Sequence, residues 1–238
     1  MPTLESVGFT ALDEKRLQEF GAKRTATVAI SKASVTGGWT KRIFDLCLAT
    51  CGLIGLLPLF ALVALAVKVS STGPVLYGHI RVGNGGRSFR CWKFRTMVTN
   101  GDAVLERYLA DHPDEKVEWE QNRKLRNDPR VTRIGAVLRA YSVDELPQLI
   151  NVIRGDMSLV GPRPVVQDEL DIYGSAAPHY LRSRPGLTGL WQISGRSDTT
   201  YDERIAFDTS YVQRWSFSQD LLIIARTVPA VLLSKGSY

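Results

Sequence analysis

Leu46 to Val67 reads LCLATCGLIGLLPLFALVALAV, a run without a single charged residue. As one straight α-helix it would reach about 33 Å, enough to cross a hydrocarbon core of roughly 30 Å. Pro58 stands near its middle, where a missing backbone donor and a bulky ring kink a helix. Each resulting arm would be only about 15–18 Å long, too short to cross. Cations also flank both ends, Lys41 and Arg42 before and Lys68, Arg81, Arg87 and Arg90 after. The tendency of positive charge to stay on the cytoplasmic side is then met only if both ends face the cytoplasm. A helix-break-helix that dips into one leaflet and returns meets both conditions. A spanning helix is the competing expectation. A buried helix of a water-soluble domain is a distant third, because no polar stripe interrupts the run.

Arg42 and Asp45 stand three residues apart just before the run, a spacing at which the two side chains can pair as a helix enters the membrane. The plainer alternative is a cationic anchor beside an acidic first-turn residue. Residues 1–38 are polar, mixed in charge and end in SVTGG, which predicts a mobile or weakly helical arm without a core. They do not read as a signal peptide, since the apolar run comes late and no small-residue cleavage site follows it.

The chain has 238 residues and a net charge of +6, room for one good-sized domain with an appendage. Arginine outnumbers lysine 21 to 9. Its planar fork suits bidentate contact with phosphate, so nucleic acid, an anionic membrane and a phosphorylated small molecule are the partners to weigh. Cys47, Cys51 and Cys91 cannot build a disulfide framework, and no Cys/His cluster has zinc spacing. His79, His112 and His179 are scattered and read as structural.

After the apolar run comes PVLYGHIRVGNGGRSFRCWKF. Two β-rich runs flank Asn84-Gly85, a strong hairpin signal. A dinucleotide fingerprint fails because Ser88 stands where its third glycine belongs. The hairpin delivers Lys93 and Arg95 at its end, two cations on one strand face that could grip a single phosphate; plain surface charge is the other reading. Residues 100–127 are highly charged and read as surface helices.

Ser142 to Arg163 reads SVDELPQLINVIRGDMSLVGPR. Leu146, Leu149, Ile150 and Ile153 recur at helical spacing, so QLINVIR is predicted to be an amphipathic helix stopped at Gly155. Pro147 suits its first turn, which puts Asp144 and Glu145 at the positive end of the helix. Ser142 with Glu145 also fits a capping box. That box is imperfect, because capping needs one carboxylate and Pro147 would disturb a helix already begun. Beyond the helix, Arg163 sits between Pro162 and Pro164 in a loop whose backbone is expected to approach closely at Gly161, a stiff cation presented to an anion. Adjacent residues point in different directions, so the two carboxylates should differ in role. An ionised aspartate can attack phosphorus without a general base. Glutamate suits Mg²⁺, which also binds substrate phosphates and offsets the charge developing there.

KRIFDL, the Pro58-broken segment, KFRTM, DPRVTRIG, DELPQL, GDMSLVGPRP, RPGLTGLWQISGR and YDERIAFDTSYV together resemble the small monotopic polyprenyl-phosphate phosphoglycosyl transferases. The overall flavour is that of the galactosyl-phosphate transferases of exopolysaccharide synthesis. The resemblance runs from about Lys41 to the C-terminus. It implies that Asp144 attacks the β-phosphate of a UDP-sugar, that UMP leaves, and that undecaprenyl phosphate takes the phosphosugar from the aspartate. It matches Glu145 to an Mg²⁺-associated glutamate, Arg163 with Gly161 and Pro162 to a phosphate-binding loop, and Lys93, Arg95 and Arg196 to basic substrate-binding positions. It matches Pro58 to the membrane break, although the family often has serine where Leu57 stands. Asp202, Asp208, Tyr211 and Asp220 also follow the pattern, undivided between packing and substrate contact.

The expectation is an α+β protein: an arm (1–38), a re-entrant membrane helix-break-helix (39–70) and one cytoplasmic catalytic domain of mixed α and β (71–238) at the inner face of a bacterial plasma membrane. The alternatives are a single-pass protein with a basic nucleotide-binding regulatory domain, and a glycosyltransferase that releases UDP. No nucleic-acid motif is present, which argues against that partner. The sugar and the oligomeric state, with a homodimer among the options, stay open.

Overall fold

In the computed structural model, residues 35–122, 125, 127–194 and 199–233 are described. The mixed α and β architecture is mostly helical. Of the expected arm, only 35–38 fall among these residues, and they are anchored: Thr36 is buried and its N–H donates to Arg182 O at 3.0 Å.

The apolar segment forms two helices, α1 (Gly38–Gly55) and α2 (Leu57–Ser70), bent by 62°. The break falls at Leu56 (φ −92, ψ 2), and Pro58 occupies the first turn of α2, where its missing N–H costs nothing. Both arms extend beyond the charge-free run, yet no single described helix is long and apolar enough to cross a membrane. Each helix buries one face. Lys41, Asp45 and Ala49 of α1 recur every fourth residue and are buried, as are Val63 and Val67 of α2. The outward faces carry exposed Ile43, Leu48, Ile54, Leu57, Leu62 and Leu65.

The hairpin is present. Strands β1 (Leu76–Val82) and β2 (Ser88–Phe94) pair antiparallel, Leu76 opposite Phe94 and Val82 opposite Ser88, around a turn over Asn84–Gly86 in which Gly85 takes φ 66. Helices α3 (Gly101–Asp111) and α4 (Pro113–Asn122) follow, then α5 (Arg133–Ala140). A short 3-10 turn, Val143–Glu145, leads into α6 (Gln148–Arg154). Strand β3 (Ser158–Val160) pairs in parallel with β4 (Gly186–Thr188), across the short helices α7 (Gln167–Ile172) and α8 (Ala177–Leu181). Helices α9 (Tyr201–Gln213) and α10 (Phe217–Leu233) complete the described chain.

The main core gathers Ala49 of α1, Phe89 and Cys91 of β2, Leu149 and Val152 of α6, Met157, Leu159 and Val160 around β3, and Tyr211, Val212 and Ile223 of the last two helices. A second cluster seats Val63 and Val67 of α2 on Phe94 and Leu138. The same domain therefore holds both arms of the bent pair.

Polar contacts fix that docking. Lys41 Nζ meets Asp220 Oδ2 at 2.6 Å, with both side chains almost wholly buried. Asp220 also accepts from Tyr211 Oη at 2.7 Å and Trp215 Nε1 at 3.0 Å. Arg42 and Asp45 do not pair with each other, contrary to the surface-pair expectation. Asp45 accepts from Ser158 Oγ at 2.7 Å and Leu159 N at 3.0 Å, while Arg42 donates to Val152 O and Ile153 O at 2.5 and 2.8 Å. A buried carboxylate gains more from two fixed donors than from one mobile guanidinium at a surface. Arg42 thereby gives Ile153 O, at the end of α6, a donor and adds a second one to Val152 O, which also accepts from Gly155 N–H at 3.1 Å.

Removing one partner of a buried pair strands the other. Lys41→Met is expected to destabilise the protein by about 3–5 kcal/mol, lowering Tm in lipid discs far more than Lys68→Met at an exposed position. Equal Tm values for the two variants would contradict a structural role for the Lys41–Asp220 pair.

Candidate active site

The dyad stands where the chain is forced to turn. Ser142 adopts φ 54, the left-handed region, and is the only non-glycine residue with positive φ among those described. Its side chain caps nothing, so the capping-box reading does not hold. Such a conformation costs about 1–3 kcal/mol and persists only where its surroundings hold it in place. Here it turns the chain out of α5 and into the 3-10 turn carrying both carboxylates.

Asp144 points inward, with its side chain 10 % exposed, and Glu145 is more open at 26 %. Lys93 reaches both from β2: its Nζ lies 2.6 Å from Glu145 Oε1 and 3.8 Å from Asp144 Oδ2. Burial pushes the Asp144 carboxyl above its ordinary range, and neighbouring Glu145 adds to the rise; Lys93 and Arg139 offset only part of it. Burial also acts upward on Glu145, but Lys93 and Arg163, with hydrogen bonds from Lys93 and Gln148, more than offset it, leaving its carboxyl below the ordinary range. Two adjacent carboxylates are thus driven apart, the pattern expected of groups with separate tasks.

Arg163 lies exposed between buried Pro162 and Pro164. The prolines face inward and present the guanidinium outward, near enough to Glu145 to act on its charge. Gly161 makes the close backbone approach expected of it. A Cβ there would collide with Arg184 O and lie 2.9 Å from Gly186 N, so its backbone packs closely on the neighbouring strand. Gly161 N–H donates to Thr188 O at 2.9 Å, and Gly186 N–H to Pro162 O at 2.8 Å. The loop is therefore braced by β4.

Arg95 does not join Lys93 at the dyad. Strand β2 ends at Phe94, so the alternation that placed the two on one face stops between them. Its guanidinium is buried and donates to Pro74 O, to Ser71 O at 2.7 Å and to Ser71 Oγ at 3.0 Å, clamping the turn that leaves α2. Arg196 lies outside the described residues. Pro58, Arg42 and Asp45 belong to the bent pair and its docking.

Arg139 was missed in the sequence. It leaves the last turn of α5, donates from Nε to Thr96 Oγ1 at 2.9 Å and acts electrostatically on Asp144. Its signal was position alone, five residues before Asp144 in a helix ending at the dyad. Trp191 and Arg204, given no role in the sequence, come together in the fold, the Arg204 guanidinium 4.7 Å from the Trp191 ring centroid. The C-terminal acids now separate: Asp202 is exposed, Asp220 and Tyr211 serve the α1 docking, and buried Asp208 accepts from Tyr173 Oη at 2.7 Å.

Burial raises the Asp208 carboxyl to about 7 from an ordinary 3.8, with Tyr173, Arg163 and Arg204 countering. Between those values the folded chain binds more protons than the unfolded one, so this group's contribution to stability is lost as pH rises through about 7. Asp208→Asn keeps an acceptor for Tyr173 and removes the titration. Its Tm is expected to fall less than the parent's between about pH 5 and about pH 8. Identical slopes would contradict the assignment.

The geometry is an inward aspartate, a glutamate held ionised by lysine, and a proline-braced arginine beside them. It suits attack on an electron-poor centre bonded to anionic oxygens. The sequence profile of the bacterial sugar transferases matches residues 36–234. The exopolysaccharide production protein ExoY of Rhizobium meliloti (strain 1021) is 60% identical over 202 residues, covering 85% of this chain and 89% of its own length. The UDP-galactose-lipid carrier transferase of Erwinia amylovora is 48% identical over 89% of this chain, which spans 44% of that longer protein. The undecaprenyl-phosphate galactose phosphotransferase of Salmonella typhimurium (strain LT2) is 49% identical over 83% of this chain and 41% of its own length. With the family matched over nearly all of the described chain and the dyad set in a charged site, the protein belongs to the bacterial sugar transferases.

Proposed function

We propose that this enzyme moves a sugar-1-phosphate from a UDP-sugar to undecaprenyl phosphate through a phosphosugar-aspartate at Asp144, releasing UMP and starting exopolysaccharide assembly. One observation carries the reading: Asp144 is turned inward beside Lys93 while its neighbour Glu145 is kept ionised. In the first step an Asp144 oxygen bonds to the β-phosphorus, and the bond from that phosphorus to the bridging oxygen breaks, UMP leaving with the electron pair. In the second, a phosphate oxygen of the lipid attacks the same phosphorus and the carboxylate of Asp144 is released. Lys93, beside Asp144, and Arg163, acting on Glu145, would offset the negative charge that builds up in both steps. Galactose and glucose are the sugars favoured, since relatives are named for each.

Mg²⁺ fits the donor set. That ion is commonly held by one or two carboxylates together with substrate phosphates, and no cluster of three or more ligating side chains occurs among the described residues. Glu145, ionised and a quarter exposed, would hold it, with neutralisation of phosphate charge as its chemical contribution.

The membrane reading is re-entrant, at the cytoplasmic face of the bacterial plasma membrane. Lys41 at the start of the bent pair and Val67 near its end are both buried against one domain. A segment that crossed the bilayer would carry one end away from it. The apolar outward faces of α1 and α2 supply the lipid contact, and the flanking cations favour the cytoplasmic side. This arrangement disfavours the single-pass regulator.

Purified protein in lipid discs, given Mg²⁺, undecaprenyl phosphate and a panel of UDP-sugars, is expected to release UMP with one donor, and Asp144→Asn to release none. UDP as the nucleotide product would contradict the proposal in favour of plain glycosyl transfer. Replacing Lys93 by Met removes the cation that lowers both carboxyls, so the acid limb of the pH–rate profile should move to higher pH, with activity down about 100-fold. An unmoved limb would show that Lys93 does not set the ionisation of the dyad.

A further inference from the structure

Trp191 is buried in the short turn Trp191–Ile193 that follows β4. Two guanidinium groups approach its ring, Arg163 at 5.7 Å and Arg204 at 4.7 Å from the centroid. They come from separate parts of the fold, Arg163 from the proline loop after β3 and Arg204 from the first turns of α9. Neither makes an ion pair among the described residues. The Nε of Arg204 is buried without a hydrogen-bond partner. The carboxylate within reach of their charge, Asp208, lies one helical turn beyond Arg204 and is already engaged by Tyr173 Oη.

Left alone, this arrangement is unfavourable. Two like charges share one ring, Arg163 exposed and Arg204 half-buried, and a buried donor of Arg204 is left unsatisfied. Stacking on an indole offsets part of the cost. An anion received by both groups would offset the rest, because arginine forks match phosphate oxygens bidentately. Arg163 also acts on Glu145, so a ligand held here would be continuous with the dyad.

We propose that Arg204 is a substrate-binding residue, and that with Arg163 it forms a two-guanidinium grip on a substrate phosphate, Trp191 being the platform that sets both forks. The inference rests on the transferase reading above and adds to it a residue and a binding mode. Two substrates carry the chemistry required, the nucleotide diphosphate and the lipid phosphate, and the test separates them.

Wild type, Arg204→Gln and Arg204→Lys are compared as full-length protein in lipid discs. UDP binding is measured by calorimetry with uridine as the phosphate-free probe, and KM is measured for the UDP-sugar and for undecaprenyl phosphate. If the grip is on the nucleotide, Arg204→Gln weakens UDP at least ten-fold and raises donor KM. Uridine binding and lipid KM then stay unchanged, and Arg204→Lys recovers part of the loss. If the grip is on the lipid, only the lipid KM rises, again with partial recovery by lysine. The proposal is overturned if Arg204→Gln leaves UDP affinity and both KM values within two-fold of wild type. It is equally overturned if uridine and UDP weaken together with a fall in Tm that Arg204→Lys restores, since that is the behaviour of a packing residue. Absence of UMP release by wild type would instead sink the transferase reading, so the two failures are distinguishable.

Discussion

The structure depends on how α1 is tied to the domain. Lys41, Arg42 and Asp45 reach three different elements, Asp220 of α10, the last carbonyls of α6, and β3. Burying those charges is costly unless each is paired or hydrogen-bonded, so rotation or sliding of α1 out of this register would leave several charged groups unsatisfied at once. Helix α6 is held at one end by Arg42 and leads back at the other to the dyad. It also packs along α1, with Leu149 and Val152 in the same cluster as Ala49. The apolar segment and the dyad carboxylates are therefore joined through a helix of only seven residues. An enzyme that receives one substrate from water and another from lipid needs such a fixed spacing, since small misplacements of reacting groups cost large factors in rate.

The dyad shows how one short segment makes two unlike acids. Both carboxyls feel burial and the same lysine. Asp144 is enclosed and has Lys93 at longer range, so burial dominates. Glu145 opens toward Arg163 and accepts directly from Lys93, so the cations dominate. Substrate phosphate entering beside Arg163 would meet a site already organised by fixed charges, which stabilise developing charge at little reorganisation cost.

Much of this was legible from local sequence. Asn84-Gly85 marked the hairpin, Pro58 marked the bend, Pro147 and Gly155 framed α6, and Arg163 between two prolines marked a rigid outward cation. Each of these is a short-range constraint that residue chemistry imposes on its own backbone. Long-range pairings stayed hidden. Arg42 and Asp45 suggested a local pair because they share a helix face, yet their partners lie more than a hundred residues away. Lys41 and Asp220 are 179 residues apart. Arg95 was misplaced because period-two reasoning holds only while the strand lasts, and the strand stops one residue earlier. Gly161 signalled a close approach, and only the fold shows β4 beside it. Arg139 sits in unremarkable local sequence, and Trp191 and Arg204 lie in motifs that carry the resemblance without showing a role; only folding brings Arg139 near Asp144 and Arg163 and Arg204 to the Trp191 ring.

The central claim is that Asp144 itself carries the sugar phosphate. The most direct measurement is intact-protein mass spectrometry after incubating the enzyme with Mg²⁺ and its UDP-sugar donor in discs lacking polyprenyl phosphate, followed by peptide mapping. The account predicts a single added sugar-phosphate, located on the peptide containing Asp144 and discharged when undecaprenyl phosphate is supplied. A turnover-competent enzyme that never gains this mass, or gains it on another residue, would contradict it.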